Sequence, residues 1–136
     1  MSSILNDLKN ISWFFIFPVF VLIAHIFLLF VFDVYAIFPW FDIPMHFVGG
    51  VSIGIMYFLI LKYSQRQNYL KTNSFFNVLF IFALVSLTAV LWEFFEFSLT
   101  YLTGFSLQGN LSDTMLDLFL GMSGGLLTAI FLERIK

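Results

Sequence analysis

The chain has 136 residues, of which 61% are hydrophobic and 10% charged, with a formal net charge of −2. A soluble domain usually carries about 25% charged residues, so this composition, with a mean hydropathy of +1.00, excludes a soluble domain and points to an integral membrane protein. Cysteine is absent, which removes disulfides and thiolate ligands or nucleophiles from the available chemistry.

Four apolar runs, at 11–32, 43–61, 75–102 and 111–132, are candidates to cross the bilayer. A hydrocarbon core about 30 Å thick needs roughly 20 helical residues. No stretch shows the alternation of a barrel strand, so the expectation is one all-α domain over residues 1–136 with four transmembrane helices. The first run lacks the short apolar core and small-residue cleavage site of a signal peptide and is expected to be retained. It carries His25, and Pro18 below it frees a carbonyl that could bond such a side chain. The 21 phenylalanines are read as lipid-facing cover.

The basic residues are Lys9, Lys62, Arg66, Lys71, Arg134 and Lys136. With four crossings, all of them fall on one side. The positive-inside rule makes that side the cytoplasm, for an N-in, C-in, multi-pass protein of the cell (inner or plasma) membrane.

The second run opens FDIPMHFVGG, the third contains LWEFFEF, and the fourth follows LQGNLSDTMLDLFLG. Asp42 before Pro44 suits a helix N-cap as well as a ligand, and Asp113, close to Asn110 and Ser112, is ambiguous in the same way. His46 and Asp117 lie a turn deeper, beyond the reach of capping. Glu93 sits about 27 Å up the third helix from Phe75, Asp117 about 9 Å down the fourth from Leu111, and His46 about 6 Å below Asp42. Asp42, Glu93, Glu96, Asp113, Asp117 and His46 therefore share one level in the outer half of the membrane. No lysine or arginine is available there. Only Asp7 and Glu133 accompany the bases.

An ionisable group at helix depth costs roughly 2.5 to 3.5 kcal/mol, which favours placement in a bundle interior with partners. The pairs Glu93 with Glu96 and Asp113 with Asp117 add like-charge repulsion at helical spacing. Shared protons, a water-filled cleft or a bound cation could relieve it. Carboxylates and imidazole on facing bundle helices are the ligand types of di-metal sites, although the Glu-x-x-His pair of those sites is replaced here. The expected cofactor is a divalent metal ion, Zn, Mn, Fe, Mg or Ca, held among Asp42, His46, Glu93, Glu96, Asp113 and Asp117.

An offset of 71 residues superposes Asp42, His46, Gly50, Ser52 and Gly54 on Asp113, Asp117, Gly121, Ser123 and Gly125, and His25 on Glu96. Two parallel helical hairpins related by duplication would produce this pattern, with a site at their interface. Gly50 with Gly54 and Gly121 with Gly125 also form small-xxx-small faces that let helices approach closely. Packing of the second helix on the fourth through them would bring Asp42, His46, Asp113 and Asp117 together above the contact. The same faces could serve a homo-oligomer.

The three quoted segments resemble the signature blocks of a family of bacterial inner-membrane proteins of unknown function typified by YjdF. The resemblance covers the last three helices and implies functional roles for Asp42, His46, Glu93, Glu96, Gln108, Gly109, Asp113 and Asp117. Asn110 and Ser112 stand where that family more often has aspartate and tryptophan. A looser similarity links the chain to VanZ-like proteins, associated with glycopeptide (teicoplanin) resistance, whose arginine before the last block is missing here.

Three functions fit these residues. One is a metal-dependent hydrolase or transferase that activates water against a lipid or lipid-linked substrate, with Glu93 or Glu96 as general base. The second is a cation or proton carrier. The third is a non-catalytic role in assembly or partner binding. Membrane lipid is the expected partner, and nucleic acid is not.

Overall fold

A computed structural model describes residues 12–104 and 107–135. Ile11, Asp7, Lys9 and Lys136 lie outside the described residues. The described chain is all-helical, with no strand among those residues. It comprises α1 (Ile16–Phe32), a single turn α2 (Val34–Ile37), a 3₁₀ turn (Pro39–Phe41), and the long helices α3 (Asp42–Arg66), α4 (Ser74–Thr103) and α5 (Leu111–Arg134). The last three are long and apolar enough to cross a membrane, and Ile16–Phe32 is a shorter apolar helix.

The first expected helix is thus interrupted. Proline at position 18 has no N–H to give the Phe14 carbonyl, and its ring is tolerated only in a first turn. The chain accordingly turns at Phe15 and begins α1 at Ile16, with Val19 N donating to Phe15 O at 3.0 Å. Asp33 closes α1 in the left-handed region (φ 49°), its N–H returning to Leu28 O. This residue redirects the chain into α2.

Side-chain caps set the other starts. Asn73 accepts from Phe76 N at 3.0 Å to open α4, and Asn110 accepts from Ser112 N at 2.8 Å and Asp113 N at 3.2 Å to open α5. Gly104 (φ 71°) ends α4, a conformation only glycine adopts without strain. Asp42 does not cap α3. The 3₁₀ turn delivers the chain in helical geometry, so Asp42 is the first residue of α3 and no side chain caps it. Its carboxylate is left for the interior.

The bundle is built on the seam between α3 and α5, with α4 packed on both and α1 laid against α3. A Cβ added at Gly50 would collide with the Gly121 carbonyl, and one at Gly54 would come within 3.2 Å of Gly125 Cα. The two backbones approach this closely because neither presents a side chain. Few apolar side chains are buried: Met56, Leu61, Ile81, Val85 and Ala129, while α1, α4 and α5 each expose phenylalanines. Exposed apolar surface on this scale marks a bundle that meets lipid.

The end of the bundle that carries the bases is tied by a buried polar network. Lys62 Nζ lies 2.5 Å from Glu133 Oε1, and Asn77 Nδ2 donates to the same oxygen at 2.8 Å. Gln65 and Thr72 donate to Asn77 Oδ1. Three helices and the α3–α4 loop are fastened there.

Candidate functional site

At the opposite end, α3, α4 and α5 each bring acidic side chains to one place. His46 is on the second turn of α3, and its Nε2 lies 3.4 Å from Asp42 Oδ1, one turn back, and 3.7 Å from Asp117 Oδ1 across the seam. One donor atom from each of Asp42, His46 and Asp117 lies within 4.8 Å of the others, and the same holds for His46, Glu93 and Glu96. His46 is common to both sets. Two oxygens bound to one cation at about 2.0 to 2.6 Å are separated by no more than twice that distance, so each set is compact enough to close on an ion.

The two glutamates of LWEFFEF differ in their surroundings. Glu96 Oε1 accepts from Trp92 Nε1, one helical turn earlier, at 2.8 Å. Glu93 is 6% exposed, and its Oε2 has no hydrogen-bond partner among the described residues. Gln108 and Thr114, bonded to each other at 3.4 Å, lie against the same carboxylate. The loop before α5 is held over the site by Thr100 Oγ1, which accepts from Leu107 N and Gln108 N, both at 3.1 Å.

Asp113 stands apart. It is exposed in the first turn of α5 and belongs to neither compact set. Its carboxylate is seated over Gly109, where a Cβ would strike it. The helix geometry explains the separation: Asp113 is at the rim because Asn110 caps immediately before it, while Asp117 is one turn further in.

Sequence reasoning did not single out Trp92, Thr114 or Tyr35. The i,i+4 spacing of Trp92 and Glu96 was a usable signal. Tyr35 had none, since only the left-handed turn at Asp33 returns its hydroxyl to His25 Nδ1 at 2.7 Å. Burial raises the Tyr35 hydroxyl pKa, with the Asp42 and Glu96 charges acting in the same direction. His25 itself packs edge-on to Trp92, 6.0 Å between centroids. Beneath these groups is a cavity of about 320 Å³ whose walls include His25, His46, Glu93 and Asp117.

Fold and site together define a small all-helical membrane protein with a carboxylate and histidine pocket inside its bundle. The chain belongs to the DUF2238 family of predicted membrane proteins, whose family model matches residues 6–136. This is the YjdF-type family that the three sequence blocks resemble, and the likeness now extends over nearly the whole chain. The looser similarity to VanZ-like proteins is not supported. Searches of the curated proteins and of the solved structures each gave no match.

Proposed function

We propose that the protein binds a divalent metal ion at the pocket formed by Asp42, His46, Glu93, Glu96 and Asp117, and uses it to activate water against a lipid or lipid-linked substrate. The observation that carries the reading is the orphaned Glu93 Oε2, because an unpaired buried carboxylate oxygen costs free energy unless a proton or cation meets it. Imidazole with carboxylate oxygens suits Zn, Mn or Fe, and also tolerates Mg or Ca. Asp113 is proposed as a rim residue, not a ligand. Glu93 or Glu96 would take the proton from the attacking water.

The absence of any lysine or arginine between Lys9 and Lys62, and between Lys71 and Arg134, supports an ion as the balancing charge. Between the two polar ends lie Ile81, Val85 and Ala129, each at most 1% exposed. That apolar plug favours a one-ended site over a through path for ions or protons. The proposed topology is four crossings, N-in and C-in, with the Lys62 end in the cytoplasm and the pocket at the outer level. Two parallel hairpin repeats, and a homo-oligomer, belong to the same set of proposals; the glycines available to an oligomer face each other inside the monomer.

Elemental analysis of detergent-purified protein tests the reading. The wild type is expected to carry near-stoichiometric metal, and a Glu93→Ala, Asp117→Ala variant to carry little. Equal and negligible metal in both would remove the proposal.

A further inference from the structure

The cavity below the site has a direction. His25, His46 and Glu93 bound one end, and Pro18, Ile53 and Val85 the other. Seven or eight helical residues separate the members of each wall, a span of about 10 to 12 Å along the helices. The walls between are apolar: Leu22 on α1, Gly49 on α3 and Ala89 on α4 among them. A Cβ added at Gly49 would meet nothing within 4 Å, so the space reaches the α3 backbone.

This space also has a side. α1 packs against α3 but forms no comparable seam with α4, so the two helices face each other as separate walls. In a bilayer such a slot opens into hydrocarbon, and an unfilled apolar lining forfeits its dispersion contacts. The volume, about 320 Å³, is at the low end of the roughly 300 to 1,000 Å³ of ligand pockets. It is room for one chain. Its polarity also runs as a lipid's does, with the ionisable groups at the membrane surface and the apolar part toward the middle.

We propose that the cavity seats one hydrocarbon chain of an amphiphile with an oxyanion head, which enters sideways between α1 and α4 and places its head against the His46, Glu93 and Asp117 cluster. The head assignment rests on the metal reading above. The chain seat stands on the apolar walls alone, so the two can fail separately.

Trp92 lines the cavity, while Trp13 and Trp40 are 68% and 60% exposed. In a full-length Trp13→Phe, Trp40→Phe background, Trp92 becomes the single indole reporter. Titration in detergent with dodecyl phosphate brominated near the chain end is expected to quench Trp92 saturably. Gly49→Leu, which adds bulk where there is space and raises helix propensity, should weaken that quenching at least tenfold. Leu22→Phe, from the facing wall, should do the same. Circular dichroism establishes that both variants remain helical, and Mn²⁺ titration should be unchanged in both.

Quenching that rises linearly with probe, or is equally saturable in Gly49→Leu and Leu22→Phe, overturns the chain seat. Saturable, variant-sensitive quenching in a protein that takes up no Mn²⁺ supports the seat and removes the metal reading and the oxyanion head with it. Brominated dodecanoate in parallel distinguishes a phosphate head from a carboxylate. A brominated alkyl trimethylammonium that binds more tightly than both overturns the oxyanion assignment.

Discussion

His46 and Asp117 face each other across the α3–α5 seam, Nε2 to Oδ1 at 3.7 Å, one helical turn above the point where Gly50 meets Gly121. The site geometry is thus a consequence of a backbone contact. Gly50→Ala should force the helices apart, because the new methyl strikes the Gly121 carbonyl, an overpacking cost of about 1 to 3 kcal/mol. Gly121→Ala should be nearly neutral, since its methyl would meet only Ala89 Cβ at 3.6 Å and His46 O at 3.8 Å. Thermal unfolding in detergent measures both, and equal melting temperatures for the two variants would contradict the seam.

The acidic cluster makes a graded prediction about metal affinity. His46 belongs to both compact sets, so His46→Ala should cost more than the loss of any single carboxylate. Trp92→Phe removes the donor that orients Glu96; loss of such a supporting bond typically lowers affinity about 10- to 100-fold. Asp113→Asn should leave affinity unchanged, since Asp113 is outside both sets. Isothermal titration with Mn²⁺ or Zn²⁺ checks the order, and an Asp113 effect as large as that of His46 would refute it.

Metal removal carries its own expectation. A ligand that binds only the folded state, present at 100 times its Kd, stabilises by about 2.7 kcal/mol. Chelation should therefore lower the melting temperature of the wild type and leave that of Glu93→Ala, Asp117→Ala unmoved. A wild type indifferent to chelator and to added metal would count against a bound ion.

The three long helices were legible because each is a long apolar run, although α3 continues past the end of its run at 61 to Arg66. The turn at Phe15 inside the first apolar run was not foreseen, because it depends on a single proline within an otherwise unbroken run. The polar level was legible from charge alone, since no base was available to pair the acids. Asp42 was read as a cap with equal weight because the 3₁₀ turn at Pro39–Phe41, which takes over the helix start, has no strong local signature. Asp113 was ambiguous between cap and ligand while Asp117 lay a turn deeper, and that one turn of helix separates rim from interior. The cavity was not legible, because it depends on where α1 lies relative to α4.

The network at the basic end predicts a stability effect separate from the site. Lys62→Met removes the cation 2.5 Å from Glu133, whose side chain is 3% exposed. Taking away one partner of a buried ion pair typically costs about 3 to 5 kcal/mol, and the partial exposure of Lys62 places the expectation at the lower end. Adding Glu133→Leu should recover much of the loss. Unfolding in detergent would show this, with metal binding unchanged because the pocket is at the other end of the bundle.

Topology is the last expectation, and the absence of native cysteine makes it direct to measure. Lys71, in the loop joining α3 to α4, and Ile37, at the end of α2, are both exposed and lie at opposite ends of the bundle. With the basic end in the cytoplasm, a membrane-impermeant maleimide applied to intact cells should label Ile37→Cys. Lys71→Cys should react only after permeabilisation. The reverse pattern would invert the protein and put the His46 pocket on the cytoplasmic side; labelling of both in intact cells would be incompatible with an even number of crossings that keeps all the bases on one face.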